Sequence, residues 1–300
     1  MRNGSSSWKD VISGVPQGTI LGPMLFLLFV NDMPDVVRST AKMFADDTKV
    51  YKNINNPRDC QDLQEDLNAL SAWSQQWLLR FNATKCVTVR FRSAFEYVYS
   101  LNGIYLEEVS EQKDLGVLIS NDLKPAKHIN SVCKRKIGMI KRCFSHFTEE
   151  KITILYKSII RPVLEYASAV WNPSCNKDIE RPEKVQKRCL RLCPTEIKLP
   201  TLAERRRQID LVETYKFMND RYKTPPSTFF QIPPREGLRG HSLKLYKQKT
   251  RTEVAKNFFS NRVVNEWNSL TQEIISAPSI ATFKEKLRTL PSGARSLSTK

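Results

Sequence analysis

The apolar and polar positions of the first 55 residues predict a loop, a helix and a hairpin. After a start rich in glycine and proline, Met24–Val30 is a continuous apolar run, which is typical of a buried helix. Two short β-prone runs follow, Ala41–Ala45 and Thr48–Tyr51, and they flank Asp46-Asp47. This pattern favours a tight hairpin with two acids at its tip.

Helical periodicity is clearest after Asn56. Asn56-Pro57 supplies an N-cap and a proline at the first helical position. Apolar residues then recur at helical spacing through Arg80, namely Cys60, Leu63, Leu67, Leu70 and Trp77. The alternation in Cys86–Phe91 predicts a half-buried strand, and a further strand is expected at Leu115–Ile119. This order predicts an α+β fold with helices on one face of an antiparallel sheet.

From Pro125 onward the pattern becomes helical. One apolar stripe is formed by Ile129, Cys133, Ile137, Ile140 and Phe144. Further helices are predicted at Glu149–Val170, Pro182–Leu192, Leu202–Asp220, Thr252–Leu270 and Ile280–Leu290. Prolines mark a linker at 223–240. We therefore expect an α+β region at 1–122, a helical region at 123–222, the linker, and a C-terminal helical region at 241–300.

Charge supports the same division. The chain has 48 Lys and Arg against 31 Asp and Glu, a net charge of +17. Residues 1–120 carry a net −2, whereas residues 121–300 carry +19. A positive field spread over folded sequence attracts polyanions, of which nucleic acid is the commonest inside cells. A basic surface that is merely soluble is the alternative.

One predicted helix concentrates this charge on a single face. Four cations, Lys184, Lys187, Arg188 and Arg191, lie at i, i+3, i+4 and i+7 on this face. Such a face could follow a phosphate backbone without reading sequence. A solvated helix face is the alternative.

Composition also excludes several classes of protein. The longest apolar run, Ile20–Val30, is about half the ~20 residues of a membrane span and is interrupted by Gly22-Pro23, so no transmembrane helix is predicted. The N-terminus lacks an apolar signal region, which favours an intracellular protein of the nucleus or cytoplasm. The seven cysteines are irregularly spaced and fit reduced thiols. Cys189 and Cys193 do not make a zinc spacing.

Asp46-Asp47 is the sharpest chemical feature of the sequence. In a turn, one or both carboxylates can reach a hard divalent cation that prefers oxygen ligands, as Mg²⁺ does. In two-metal phosphoryl transfer, such carboxylates hold ions ~3.5 to 4 Å apart that assist the attacking and leaving oxygens. A solvated Asp-Asp turn is the alternative.

Three segments occur in a familiar order: Ser13–Pro23 (SGVPQGTILGP), Phe44–Asp47 (FADD) and Asn82–Lys85 (NATK). Together they resemble the motif series of the reverse transcriptases of non-LTR (LINE-type, Jockey-like) retrotransposons. The resemblance extends over nearly the whole chain, through Lys113–Ile119, Arg161–Ala167, Trp171-Asn172-Pro173 and Asn265–Asn268.

The resemblance implies a right-hand polymerase. Residues 1–122 would be a partial palm and 123–222 a thumb-like region. The implied reaction uses Mg²⁺, or Mn²⁺, to add deoxynucleoside triphosphates to a DNA primer on an RNA template. No membrane partner is implied, and the oligomeric state is left open.

The resemblance also assigns residues. Asp46 and Asp47 match the metal-binding motif, and Lys85 matches a lysine near the pyrophosphate. Pro16, Gln17 and Gly18 would line the nucleotide and template pocket, and Leu115 and Gly116 would form the hairpin that holds the primer. From the residues alone, Lys85 could be an ordinary solvated lysine and Gly116 a bend in a strand.

One departure from the family pattern changes the expected activity. The family has another metal-binding aspartate several tens of residues before the Ser13 segment, and only 12 residues precede Ser13 here. We therefore expect the C-terminal part of a polymerase, unable to extend a primer by itself, with apolar surface uncovered at Met24–Val30. The alternatives are a non-catalytic nucleic-acid-binding remnant, a domesticated derivative, and a relic without a stable fold.

Overall fold

The computed structural model describes residues 14, 18–92, 94–133, 136–144, 146–234 and 240–289. The chain divides into two compact units, Met1–Ser110 and Glu111–Lys300. The division precedes residue 122, where the sequence places a boundary, because the strands after Ser110 belong with the helices that follow them. The functional domain limits drawn from the sequence remain predictions.

The first unit mixes helices with short strands. Its elements are α1 (Leu21–Val30), β1 (Thr40–Phe44), β2 (Asp47–Tyr51), α2 (Pro57–Gln76), β3 (Val87–Thr88), β4 (Ser100–Leu101), β5 (Ile104–Tyr105) and β6 (Glu107–Glu108). Single 3₁₀ turns lie at Met33–Val36 and Ala83–Lys85. The expected mixture of helix and sheet is confirmed.

A continuous antiparallel sheet, however, is not what the described residues form. β1 pairs with β2 and β4 with β5, both antiparallel, whereas β3 pairs with β6 in parallel. The strand predicted at Cys86–Phe91 is reduced to the two residues of β3. Burial does not alternate along it, because residues 86–90 are all half-buried and Phe91 is exposed. A two-residue partner strand offers too few backbone hydrogen bonds to extend it.

Local sequence explains α2. Asn56 Oδ1 accepts a hydrogen bond from the Asp59 N–H at 3.1 Å, and Asp59 Oδ2 accepts one from the Asn56 N–H at 3.2 Å, which is a capping box. The helix ends at Gln76 instead of Arg80, because Leu78 adopts a left-handed φ of +55°. Leu70 and Trp73 are buried, whereas Trp77, predicted on the apolar stripe, is 41% exposed.

Helix α2 holds the β1–β2 hairpin at both ends. The buried Asp66 carboxylate accepts hydrogen bonds from the N–H groups of Arg38 and Ser39, each at 2.9 Å, just before β1. After β2, Lys52 Nζ lies 2.5 Å from Asp62 Oδ2. Burial opposes ionisation of Asp66, but the hydrogen bonds from Ser39 and Arg38 outweigh it and lower its pKa.

Helix α1 forms as predicted but is not buried. Only Gly22 and Val30 are buried, and Leu21 and Leu28 are 65% and 73% exposed. The prediction that this apolar run forms a buried helix is therefore wrong. The expectation that Met24–Val30 presents uncovered apolar surface agrees with the structure. Among the described residues of the first unit, no element covers Leu21 or Leu28.

The second unit begins with a hairpin and continues with helices. Its elements are β7 (Glu111–Asp114), β8 (Val117–Ser120), α3 (Ala126–Cys133), α4 (Lys136–Cys143), α5 (Glu149–Leu155), α6 (Arg161–Glu165), α7 (Ser168–Trp171), α8 (Asn176–Leu190), α9 (Leu202–Met218), α10 (Glu253–Asn257), α11 (Phe259–Arg262), α12 (Val264–Ser269), α13 (Gln272–Ile275) and α14 (Ile280–Thr289). A π-helical turn, Tyr156–Ile160, joins α5 to α6, and a 3₁₀ turn lies at Pro226–Thr228.

Several helix limits differ from the prediction. The helix expected at Glu149–Val170 is broken at Tyr166-Ala167, because Ala167 has a left-handed φ of +51°. The helix expected at Thr252–Leu270 is three short helices, α10, α11 and α12. Helix α8 begins at Asn176 and contains Pro182, which the sequence suggested as its start. Phe144, assigned to the apolar stripe, is exposed.

The Pro-rich segment predicted as a linker packs into the larger core of this unit. Phe230 is buried beside Tyr215 of α9, Phe259 of α11 and Trp267 of α12. The helices after residue 240 therefore share a core with α9. A second core gathers Ile140, Ile152, Tyr156, Ile160, Leu164, Cys189 and Leu202. None of the helices formed by the described residues is long and apolar enough to cross a membrane.

Two buried histidines stabilise the second unit in their neutral form. His128 Nδ1 accepts a hydrogen bond from the Leu118 N–H at 3.1 Å, which joins α3 to β8. His241 Nδ1 accepts one from the Leu243 N–H at 3.2 Å. Burial lowers the pKa of both rings.

Asp66→Ala should loosen the β1–β2 hairpin. It would leave two backbone N–H groups without acceptors, at a cost of about 1 to 3 kcal/mol. Native-state hydrogen exchange of the β1 and β2 amides in the full chain measures this effect. Glu65→Ala is the matched control, since its ion pair with Arg38 is exposed and worth at most about 1 kcal/mol. Equal protection in both variants would contradict the role of Asp66.

The free energy of unfolding should fall as the pH drops below about 6.5, the ordinary pKa of histidine. The unfolded chain takes up protons there that the folded chain binds less readily, because burial lowers the pKa of His128 and His241. His128→Asn keeps an acceptor for the Leu118 N–H and cannot titrate. The free energy of unfolding of this variant should therefore fall less than that of the parent between about pH 7.5 and 5.5. Urea unfolding at each pH tests this, and an unchanged loss would exclude His128 as a source.

Candidate active site and nucleic-acid interface

Asp46 lies at the tip of the β1–β2 hairpin and Asp47 is the first residue of β2. Phe44 pairs with Asp47, which leaves Ala45-Asp46 as a two-residue turn. Ala45 supplies the left-handed φ of +52°. Met43 and Val50 pack against the core of the first unit and form the apolar side of the hairpin. The two acids at its tip are exposed.

The two carboxylates offer oxygen ligands for a divalent cation but do not complete a metal site. Within the described ranges, no three or more His, Cys, Asp or Glu side chains converge so as to hold a metal ion. Asp46 and Asp47 are both exposed. Mg²⁺ takes about six oxygen ligands, several of them water or substrate phosphate, so two carboxylates fit part of such a set.

Of the three residues assigned to the nucleotide and template pocket, only Gly18 is described. Pro16 and Gln17 lie outside the described residues. Gly18 is exposed and has a left-handed φ of +79°, so its backbone geometry is one that glycine adopts most easily. Thr19 Oγ1 then accepts a hydrogen bond from the Gly22 N–H at 3.0 Å at the start of α1.

Lys85 closes a 3₁₀ turn, Ala83–Lys85, and its side chain is exposed. The Lys85 N–H donates to the Asn82 carbonyl at 3.0 Å, which makes the turn. A groove of about 690 Å³ lies beside this turn and is lined by residues that include Arg80, Asn82 and Thr84. In the part of the chain that the structure describes, no ion pair joins Lys85 to Asp46 or Asp47.

The second unit carries the residues assigned to the primer. Leu115-Gly116 is the two-residue turn between β7 and β8, since Asp114 pairs with Val117. Both residues have positive φ, +43° and +85°. Both are exposed, and the strand predicted at Leu115–Ile119 begins only at Val117.

The predicted basic face lies on α8 and the residue after it. We call its four cations, Lys184, Lys187, Arg188 and Arg191, the α8 stripe, and all four are exposed. The opposite side of α8 packs through Cys189, which is fully buried, and through the half-buried Val185. Lys184 Nζ lies 2.9 Å from Glu180 Oε2, whereas no ion pair is seen among the described residues for Lys187, Arg188 or Arg191. The stripe therefore presents three unpaired cations and one paired cation to solvent.

The predicted residues fall into two groups. Gly18, Asp46, Asp47 and Lys85 lie in the first unit, and Leu115, Gly116 and the α8 stripe lie in the second.

Sequence reasoning missed the supporting role of Asp66. The signal was an acid on the apolar side of α2, three residues after Leu63 and four before Leu70. Sequence reasoning also assigned no role to Tyr166, whose hydroxyl donates a hydrogen bond to the β7–β8 turn.

Comparison with known proteins shows which proteins the chain is similar to. Residues 1–132 match the family described as reverse transcriptase (RNA-dependent DNA polymerase). The chain is 29% identical over 208 residues to the probable RNA-directed DNA polymerase from transposon X-element of Drosophila melanogaster. It is 30% identical over 206 residues to the RNA-directed DNA polymerase from mobile element jockey of Drosophila melanogaster, and over 203 residues to that of Drosophila funebris.

Each of these three alignments covers 62% of this chain and 22% of the relative. The chain thus matches about a fifth of the length of these relatives. No solved structure matches the chain. The family match over residues 1–132 and the similarity to the transposon-encoded RNA-directed DNA polymerases agree with the ordered motifs of the sequence.

Proposed function

We propose that the chain contributes a metal-binding hairpin and a nucleic-acid-binding helical region to an RNA-directed DNA polymerase. The observation that carries this proposal is the exposed Asp46-Asp47 pair at a hairpin tip inside the segment that matches the family. The substrates would be an RNA template, a DNA primer and deoxynucleoside triphosphates. The activity would then lie inside the cell, in the nucleus or cytoplasm.

Asp46 and Asp47 are proposed to hold Mg²⁺, or Mn²⁺, together with ligands from outside the described residues. The bound metal would activate the primer 3′-hydroxyl and stabilise charge on the leaving pyrophosphate. Asp46, in the turn, would be the principal ligand, and Asp47, at the start of β2, the weaker one. Lys85 is proposed to place a cation near the pyrophosphate, where it can stabilise charge or donate a proton.

Polymerase roles are proposed for each of the two units. The first unit would be part of the palm, with Gly18 and its neighbours Pro16 and Gln17 lining the nucleotide and template pocket. In the second unit, Leu115-Gly116 would hold the primer. The α8 stripe would bind phosphate groups of the duplex without sequence preference.

A non-catalytic nucleic-acid-binding remnant is the second candidate. It is favoured by the combination of the exposed α8 stripe with the incomplete ligand set around Asp46 and Asp47 in the described residues. Under this proposal, the helical region binds nucleic acid while the hairpin no longer supports catalysis.

The affinity of the full chain for RNA and DNA should fall steeply with salt, because each neutralised phosphate releases counterions. The triple variant Lys187→Ala, Arg188→Ala, Arg191→Ala should flatten the slope of log K against log salt by about 0.7 to 0.9 per lost phosphate contact. Lys184→Ala should change it less, since Lys184 is paired with Glu180. Fluorescence anisotropy titrations over a range of salt concentrations measure these slopes.

A matched control distinguishes the effect of the α8 stripe on binding from the effect of net charge. Lys247, Lys249 and Arg251 are exposed in the same unit, and their replacement by alanine removes the same charge. This control should keep the parent slope. An equal loss in both triple variants would show that binding depends on total charge and not on the α8 stripe.

Asp46→Ala should abolish primer extension in a full-length polymerase in which this chain replaces the corresponding part of a jockey-type relative. No neutral side chain can replace a carboxylate ligand of Mg²⁺, and Asp47→Ala should be less severe. Asp35→Ala, an exposed acid outside the hairpin, is the control. Comparable extension by Asp46→Ala and the parent would disprove the metal assignment.

The 300-residue chain itself should not extend a primer with Mg²⁺ or Mn²⁺. Misplacing a reacting group by ~1 Å can cost ~100-fold in rate, and an incomplete ligand set should cost more. Nucleic-acid binding by the chain without extension would agree with both candidate functions, and the chimeric polymerase then distinguishes them. Extension that Asp46→Ala removes would show that the chain holds a complete site.

A further inference from the structure

The motif Arg161–Ala167, continued by Trp171-Asn172, has no role in the proposed chemistry, and the structure shows what most of it does. Glu165 pairs with Arg205 of α9. Trp171 is buried, and Asn172 accepts a hydrogen bond from Arg206 Nε at 3.0 Å. These side chains hold the fold together. Tyr166 differs from them because it is 56% exposed.

The Tyr166 side chain lies against the β7–β8 turn. Its hydroxyl donates a hydrogen bond to the Leu115 carbonyl at 2.9 Å. Its ring is so close to Gly116 that a Cβ added there would lie 3.1 Å from Tyr166 Cε1. Gly116 thus meets two requirements, a φ of +85° and the close approach of the ring.

The backbone of Tyr166 is held in place from the other side. Its carbonyl accepts a hydrogen bond from Trp171 Nε1 at 2.7 Å, and its N–H donates to the Pro162 carbonyl at 3.0 Å. The Trp171 ring in turn packs against His128, with 5.1 Å between the ring centroids. A buried aromatic cluster therefore fixes the position from which an exposed aromatic ring reaches the turn.

We propose that Tyr166 is a positioning and stacking residue of the primer-binding hairpin. Its hydroxyl holds the Leu115-Gly116 turn, and the open part of its ring stacks on a nucleobase of the strand bound there. Aromatic rings bind bases in this way with little sequence preference, because every base has a π face. The exposed Lys113, two residues before Leu115, could contact the neighbouring phosphate. The inference rests on the proposed primer contact of Leu115-Gly116.

The test measures binding of a primer–template to the full chain, with 2-aminopurine placed near the primer 3′ end to report stacking. Tyr166→Leu should weaken binding about tenfold and reduce the fluorescence change, while the salt slope stays the same because no phosphate contact is lost. Tyr246→Leu is the matched control, since Tyr246 is exposed to a similar degree, 54%, in the same unit. It should bind like the parent.

Two further variants separate stacking from positioning. Tyr166→Phe keeps the ring and removes the hydroxyl, so it should retain the fluorescence change while amide exchange in the β7–β8 turn becomes faster. Gly116→Ala brings a methyl group against the ring. As a single variant it should weaken primer–template binding, as Tyr166→Leu does. Urea unfolding of each variant checks that the fold is intact.

The outcomes distinguish this inference from the proposed function. No binding by the parent chain would overturn the proposed function and this inference with it. Binding by the parent that is lost in the α8 triple variant but unchanged in Tyr166→Leu would overturn this inference alone. An equal loss of primer–template affinity in Tyr166→Leu and Tyr246→Leu would also overturn it.

Discussion

The second unit depends on an ion pair between the buried Asp210 of α9 and the half-buried Arg262 of α11. Arg262 Nε and Nη2 donate to the two Asp210 oxygens, both at 2.8 Å, and Nη2 also donates to the Ala169 carbonyl at 2.8 Å. Burying such a pair costs desolvation energy, which is offset only when further hydrogen bonds satisfy both groups. Asn172 Nδ2 supplies one to Asp210 at 3.3 Å. Removing either partner would leave an unpaired buried charge, at a cost of about 3 to 5 kcal/mol.

This pair also determines where the motif around Trp171 lies. Asn172 accepts from Arg206 while it donates to Asp210, so the end of α7 is fixed against α9. Arg206 is fully buried, its Cζ lies 5.9 Å from the centroid of the Trp171 ring, and burial lowers its pKa. Trp171 then holds the Tyr166 carbonyl. The exposed edge of the unit at Leu115-Gly116 is thus connected to its most deeply buried charges.

The sequence predicted what neighbouring residues determine and missed what distant residues determine. The capping box of Asn56 and Asp59 and the tight turn at Asp46 depend on local geometry, so helix α2 and the β1–β2 hairpin were recognisable. The residue pattern predicted a strand at Leu115–Ile119, and only the family resemblance indicated the hairpin that the structure has there. The exposure of α1 was harder to predict, because an apolar run does not reveal whether another element covers it. The contact between Tyr166 and Leu115 spans 51 residues, and no periodicity could indicate it.

The break of the predicted helix at Ala167 follows from the same long-range contacts. The sequence analysis predicts one helix from Glu149 to Val170, but in a continuous helix Trp171 could not donate to the Tyr166 carbonyl. Tertiary packing therefore overrides propensity at the residue whose side chain reaches the turn. The motif was visible in the sequence, but its physical reason required the fold.

The candidate metal-binding hairpin of the first unit and the candidate primer-binding turn of the second unit differ in how firmly each is held. Leu115-Gly116 is supported by Tyr166, whereas the Asp46 and Asp47 side chains are exposed, and only the backbone of their hairpin is anchored, through Asp66 and Lys52. Mg²⁺ sites of this kind commonly combine one or two carboxylates with substrate phosphates and water. Two exposed carboxylates should therefore bind the metal weakly by themselves. In the proposed polymerase, a triphosphate and a further protein ligand would complete the coordination and raise the affinity, so metal binding would be coupled to substrate binding.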